Sequence, residues 1–134
     1  MLGMDETIMP LAHGIVVNGV EAGIHSVFWT TTKFLMSLRS KSLESDEIIA
    51  MKELLAPQIL VLDDFGANKI TEWSLMMMDT VVDDWYRAGR KGLVITSNFS
   101  LERIGSEISD RIASRLVEMC RVFEMQGKDW RVGK

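Results

Sequence analysis

The sequence predicts an α/β fold, a three-layer sandwich on a mainly parallel sheet, and three features of the 134-residue chain predict it. Helical and strand-like patterns alternate along the chain, which favours parallel strands joined by helical crossovers. The aliphatic runs Ile59-Leu60-Val61-Leu62 and Leu93-Val94-Ile95 are unbroken rather than alternating, as in strands covered on both faces. Both end in polar tips, Asp63-Asp64 and Thr96-Ser97-Asn98, and open parallel sheets place ligands at the carboxyl ends of their strands. No repeat, Pro/Gly/Ser-rich linker or low-complexity tract divides the chain, so residues 1–134 read as one domain.

Residues 1–23 allow two local readings. Ile15-Val16-Val17 before Asn18-Gly19 resembles a strand entering a hairpin. Pro10 near a helix start, then Leu11, Ala12, Ile15, Val16 and Val20 at helical spacing with Gly23 as terminal cap, favour a helix. His25–Thr30 is β-branched and aromatic and predicts a strand. Thr31 or Thr32 then caps a helix over Lys33–Arg39, with Phe34, Leu35 and Leu38 inward, and the polar stretch Ser40–Ser45 separates it from the next. That helix takes Ser45 as cap, Asp46 and Glu47 in its first turn and Ile48, Ile49, Met51, Leu54 and Leu55 as apolar residues, and stops at Pro57. Beyond the first aliphatic strand, Thr71 caps a long helix over Glu72–Ala88 that ends at Gly89. Leu75, Met78, Val82 and Trp85 form its stripe, and Met76-Met77-Met78 widens it as core filling. Past the strand from Gly92, Ser100 caps a short helix Leu101–Ile104, and a helix over Ser109–Cys120 buries Ile112, Leu116 and Met119. Arg121–Gln126 alternates Val122, Phe123 and Met125 and reads as a last strand.

Composition excludes several function classes. The chain is 47% hydrophobic and 25% charged, with net charge −4, and its pI is near 5.2, which argues against coating nucleic acid through bulk charge. Arg87, Arg90 and Lys91 form a local basic cluster, either a solvated helix end or a DNA-facing patch. Cys120 cannot pair within the chain, fits a reducing cytoplasm, and reads as a buried structural thiol. His13, His25 and Cys120 are too scattered for a zinc site. No apolar run approaches a membrane span and no signal peptide is evident, so a cytoplasmic protein without membrane association is expected.

The stretch that carries chemistry is Ile59–Gly66. In a nucleotide-hydrolysing sheet the first acid of such a pair holds magnesium, directly or through water, and the second polarises the attacking water. This is the Walker B pattern; the plainer reading is a strand that ends in a polar turn. Asn98 is placed to orient a water that attacks a γ-phosphate, or is simply a turn asparagine. Arg111 and Arg115 lie four residues apart, a spacing usual for surface charges.

In order along the chain, Ile59–Gly66, Val94–Ser100, Ser109–Leu116 and Gly127-Lys128-Asp129-Trp130-Arg131 resemble the landmarks of the DnaC/DnaI replicative helicase loaders and the related IstB transposition helpers. These are AAA+ ATPases with the P-loop NTPase fold. The resemblance runs from about Gly23 to Arg131 and implies ATP and Mg as cofactors. It implies Asp63 as the Mg ligand, Asp64 as the catalytic carboxylate and Asn98 as sensor I. It implies Arg115 as an arginine finger reaching a neighbour's nucleotide, with Arg111 one turn before it, and Arg131 as a late sensor of the γ-phosphate. The implied partners are a replicative helicase, single-stranded DNA, and further copies of the chain or a full-length loader. Replication is the expected setting. An IstB-like transposition helper, or a non-hydrolysing assembly module that supplies an arginine finger, are the alternatives.

One departure stands against the match. Such proteins carry a strand and a G-x-x-x-x-G-K-[ST] loop, the phosphate cradle, before the first helix. Here Leu11-Ala12 matches the Leu-Ala after that loop, which puts Ile8 and Met9 where lysine and threonine belong. Without the cradle's amides, lysine and hydroxyl, most of the triphosphate's binding energy has no source, so hydrolysis by this chain alone is not expected. The sheet is also expected to lack a neighbour for its final strand, leaving an exposed or mispaired edge.

Overall fold

In the computed structural model, which describes residues 8–124, three parallel strands run side by side in the order β1 (Ser26–Thr30), β2 (Ile59–Asp63) and β3 (Leu93–Ile95). Phe28 is in register with Val61 and Val61 with Val94, while Trp29, Leu62 and Ile95 form the adjacent row. Strand side chains alternate between faces, so the first row looks one way and the second the other. Against the first lies α1 (Ile8–Glu21), where Ala12 and Val61 are fully buried and His13 stacks on Phe28 with ring centroids 4.3 Å apart. Against the second lie α2 (Thr31–Glu44), α3 (Glu47–Leu54), α4 (Glu72–Arg87), α5 (Leu101–Glu107) and α6 (Asp110–Met119). They enclose a core that includes Phe34, Leu38, Met51, Leu60, Leu62, Met78, Val82, Trp85, Ile104, Ile112 and Leu116. The three layers and the parallel sheet are those the sequence predicts.

The N-terminal stretch is helical, as its spacing favours, and each later helix carries the kind of cap its sequence offers. Thr71 and Ser74 form a reciprocal capping box at the start of α4, Ser100 caps α5, and Ser109 caps α6. Four expectations are corrected. The cap of α2 is Thr30, whose hydroxyl accepts from Lys33, because Thr31 is buried and spends its hydroxyl on the Asp63 carbonyl at 3.0 Å. That helix also runs on through Ser40–Glu44: Leu38 stays in the core, Ser42 donates to its carbonyl at 2.7 Å, and the polar residues need only face solvent. For α3 the cap is Asp46, 2.8 Å from the Ile48 amide, and this phase buries Ala50, Met51 and Leu54 while leaving Ile48 and Ile49 exposed. Within α4, Met77 and Met78 fill the core as expected, but Met76 faces outward.

A further correction concerns the expected last strand. Residues 121–124 form no strand, and Met125 and Gln126 lie outside the described residues. An extended segment becomes a strand only where a neighbour accepts its hydrogen bonds. Among the described residues β3 is an edge strand with no partner beyond it, as the expected gap in the sheet requires. The basic cluster after α4 also resolves structurally. Arg90 donates to the carbonyls of Leu55 and Pro57 at 2.7 and 2.6 Å and lies 3.8 Å above the Trp85 ring, tying the end of α3 to the start of β3. Arg87 pairs with Asp83 one turn back.

Candidate functional site

Strand β2 delivers Asp63 to the carboxyl end of the sheet with 1% of its surface exposed. A buried carboxylate needs donors. Thr96, fully buried on the neighbouring strand extension, supplies one: its hydroxyl donates to Asp63 Oδ1 at 2.5 Å. The Thr96 hydroxyl oxygen in turn accepts the Asp64 amide at 3.0 Å, and the Thr96 carbonyl accepts the Phe65 amide at 2.7 Å. Ser97 continues the clamp by donating to the Phe65 carbonyl at 2.6 Å while accepting the Phe99 amide at 3.0 Å. Thr96 and Ser97 thus hold three consecutive residues of the β2 turn.

The clamp is needed because the turn is strained. Asp64 sits at φ +59°, in the left-handed region that costs a non-glycine residue on the order of 1 kcal/mol. Gly66 follows at φ +93°, where a side chain would press on Ile108. Partial burial, and then the neighbouring Asp63 charge, raise the Asp64 carboxyl above the usual carboxylate range. Asn98 is exposed and lies two residues past Thr96, at the same end of the sheet as Asp63 and Asp64. The strand ends therefore bring these three residues to one edge, as predicted. Thr96, which sequence reasoning passed over, is the residue that links Asp63 to Asp64. Its place follows from the strand register, one step beyond the Leu62–Ile95 pair and hence beside Asp63, which local sequence spacing does not give.

Metal chemistry at this edge would rest on few protein ligands. Among the described residues no group of three or more His, Cys, Asp or Glu side chains could hold an ion. Asp63 and Asp64 nevertheless fit Mg, which binds through one or two carboxylates while phosphates and water complete its octahedron. The segment ahead of α1, where a phosphate loop would lie, is outside the described residues.

The two arginines sit elsewhere, on the seam between α6 and α4. Arg115 Nη1 is 2.7 Å from Asp83 Oδ1, and its guanidinium lies 4.7 Å above the Tyr86 ring, leaving the side chain only 20% exposed. Arg111 spans Asp79 and Asp83 at 3.7 and 3.5 Å. Glu118, three residues beyond Arg115 on α6, is not its partner and accepts the Tyr86 hydroxyl at 2.5 Å. Burial pushes the Asp83 carboxyl up, but the Arg87 hydrogen bond and the charges of Arg115, Arg87 and Arg111 outweigh it and hold that carboxyl below its ordinary range. Arg131 lies outside the described residues. Cys120, half-buried at the end of α6, has its thiol pushed up by burial, as a structural thiol should.

A profile of the IstB-like ATP-binding proteins matches residues 3–134. The chain belongs to that family. An IS21-like insertion-sequence ATP-binding protein of Bacteroides fragilis is 23% identical over 127 residues, which cover 91% of this chain and 48% of that protein. The IstB-like chain therefore spans about half the length of this curated relative. Among solved structures, the crystal structure of the DnaC helicase loader superposes with a TM-score of 0.79 at 22% identity, covering 93% of this chain and 76% of that one. A solution structure of a Neisseria meningitidis protein superposes with a TM-score of 0.51 at 15% identity, covering 85% and 62%. At these identities the likeness shows the fold, that of the P-loop NTPases. No helix among the described residues is long and apolar enough to cross a membrane.

Proposed function

We propose that this IstB-like chain is the Walker B, sensor and arginine-finger portion of an ATP-dependent DNA-handling helper that serves transposition. The observation that carries the reading is the Thr96 clamp. It holds Asp63 buried and Asp64 strained at the carboxyl end of a parallel sheet, beside Asn98, an arrangement that costs stability and so needs a functional reason. In this reading Asp63 is the Mg ligand, Asp64 polarises the attacking water, and Asn98 orients it. Bound Mg would supply charge neutralisation on the phosphates. Asp64 is suited to its role because partial burial and the Asp63 charge make its carboxylate more basic than a free one. Arg115, with Arg111 beside it, would act on a neighbouring subunit's nucleotide, so the working unit is an assembly with further IstB-like subunits.

Transposition is favoured over replication because the matching family and the Bacteroides fragilis relative are both of the insertion-sequence type. The structural likeness to a helicase loader carries fold and not partner. Single-stranded DNA and a replicative helicase remain the partners of the competing reading. The test is to mix the purified chain with an intact IstB-family protein and with a replicative helicase in turn, measuring co-assembly by sedimentation and ATP turnover with and without single-stranded DNA. Co-assembly with the IstB-family protein, and turnover that falls with Asp64→Asn in this chain, supports the proposal. Co-assembly with the helicase alone transfers it to replication.

A further inference from the structure

The residues on either side of Asn98 are tied to the acidic turn. Ser97 is buried and donates its hydroxyl to the Phe65 carbonyl at 2.6 Å, and the same oxygen accepts the Phe99 amide at 3.0 Å. The first bond crosses 32 residues of sequence and fastens the backbone just before Asn98 to the residue just after Asp64. The second is the local turn that a serine oxygen makes with the amide two residues on, and it closes the chain around Asn98. Phe99 adds a third tie. A side chain at Gly66 would meet the Phe99 ring at 3.6 Å, so that ring lies against the acidic turn, and the Arg103 guanidinium covers it at 4.1 Å from the ring centre.

We propose that Ser97 is a positioning residue, one that fixes Asn98 relative to the Asp64 carboxylate without itself touching nucleotide or water. The inference rests on the nucleotide reading in one respect, the role given there to Asn98. Its basis is geometric. A water held between a carboxylate and a side-chain amide needs the two groups at a fixed separation, and here they are carried on different strand ends. The backbone ladder sets that separation as far as Thr96, whose amide and carbonyl bond to Leu62 and Phe65. Asp64 and Asn98 stand at the rim of that ladder, and the Ser97 hydroxyl carries the connection one residue further. The two buried hydroxyls therefore divide the work. Thr96 bonds Asp63 and the Asp64 amide and sets the acid pair, whereas Ser97 bonds the residues after each and sets Asn98 against that pair. Both bonds of Ser97 are shielded from bulk water, so they hold one geometry. Precision of this kind matters because a misplacement of about 1 Å in a catalytic constellation can cost about 10²-fold in rate.

The test begins with order in solution, read from NMR relaxation of backbone amides in the whole chain. In the wild type, Asn98 and Phe99 should be as rigid as Asp64, with order parameters of about 0.85. In Ser97→Ala those two should fall below about 0.6, while Asp63 and Asp64, held by Thr96, stay rigid. Ser97→Thr keeps the hydroxyl and should keep the order. Turnover supplies a second readout, in mixtures that co-assemble with an intact IstB-family protein. There Ser97→Ala should lower kcat by about ten- to a hundredfold with KM for ATP changed less than about twofold, and in an Asn98→Ala background it should lower kcat no further. A residue that only supported the fold would lower kcat by the same factor in both backgrounds. The proposal is overturned by that equal fall, by a flexible Asn98 in the wild type, or by unchanged order in Ser97→Ala. Loss of order that reaches Asp63, or a Ser97→Ala chain that does not fold, overturns it too, because the hydroxyl then holds the turn as a whole. Undiminished turnover in Asn98→Ala alone overturns the role given to Asn98, a failure of the nucleotide reading that the order measurement on Ser97 does not share.

Discussion

Replacing Thr96 by valine keeps its shape and removes only the hydroxyl, so it isolates what the clamp contributes. Among the described residues two interactions of that hydroxyl go at once. The Asp63 carboxylate loses a buried donor 2.5 Å away, a charge-assisted bond of about 1.5–3 kcal/mol, and the Asp64 amide loses its acceptor, a further ~1–3 kcal/mol if no substitute reaches it. The two losses share one oxygen and cannot be added in full, so a total of about 3–5 kcal/mol is expected, a large part of the ~5–15 kcal/mol that holds a domain of this kind together. Thr96→Ser keeps both bonds and gives up one buried methyl, about 1 kcal/mol. Urea unfolding followed by tryptophan fluorescence at neutral pH, with equal m-values as a check on two-state behaviour, measures both. A valine variant within about 1 kcal/mol of the serine variant would refute the argument, because it would show that the hydroxyl is replaceable and the acidic turn supports itself.

Four other outcomes are expected. Isothermal titration of the chain alone should show no saturable binding at micromolar ATP with Mg, since two carboxylates hold the ion only when bound phosphates complete its shell. Arg90→Ala should destabilise by about 3–5 kcal/mol, through two charge-assisted bonds to the Leu55 and Pro57 carbonyls and the stack on Trp85, whereas Lys91→Ala should change stability by less than ~0.5 kcal/mol; urea midpoints compare them. Asp83 has a depressed folded pKa, so the stability it contributes is complete above the ordinary carboxylate value near 3.8 and is lost as pH falls through the lower folded value. Acid titration of stability should therefore flatten in that window in Asp83→Asn. In mixtures that co-assemble with an intact IstB-family protein, Arg115→Ala should lower ATP turnover by on the order of 10³-fold, whereas equal turnover would leave Arg115 as a packing residue.

The layers, the strand order and the acidic edge were legible because they rest on runs of like residues. Ile59–Leu62 and Leu93–Ile95 are aliphatic without interruption, short and bounded by turn residues, as in strands covered on both faces. Helix ends were less legible where two hydroxyls or acids stood side by side. Thr30 and Thr31, or Ser45 and Asp46, offer nearly equal caps, and tertiary demand decides between them: Thr31 is claimed by the Asp63 carbonyl. The same choice of phase turns Ile48 and Ile49 outward. Thr96 was passed over, and Arg90 read only as one of a basic cluster, for a related reason. Each acts on a residue more than thirty positions away, the Leu55 carbonyl and the Asp63 carboxylate, and local spacing cannot register such a pairing.

Arg115 shows why its resting contacts and its proposed role are compatible. Seen alone, its pairing with Asp83 and its stacking on Tyr86 argue that it belongs to the α4–α6 seam and to nothing else. Magnitudes decide otherwise. Among the described residues no donor meets Asp83 Oδ1, itself buried, with hydrogen-bond alignment, and Arg87 and Arg111 also pair with that carboxylate, so losing Arg115 leaves no unpaired charge and the contact is worth about 1 kcal/mol. The stack adds ~0.5–1 kcal/mol. Withdrawing the guanidinium from the seam therefore costs about 2 kcal/mol at most, and Arg111 remains to neutralise Asp83. A 10³-fold effect on phosphoryl transfer corresponds to about 4 kcal/mol in the transition state, which exceeds that cost. The seam can thus hold Arg115 in an isolated subunit and still yield it to a neighbour's nucleotide. Asp83→Asn, which weakens the hold without touching the arginine, should leave turnover in mixed assemblies unchanged or raise it by up to about fivefold, the equivalent of ~1 kcal/mol. If turnover instead falls as far as it does in Arg115→Ala, Asp83 is positioning the finger rather than storing it, and the energetic separation between seam and site is wrong.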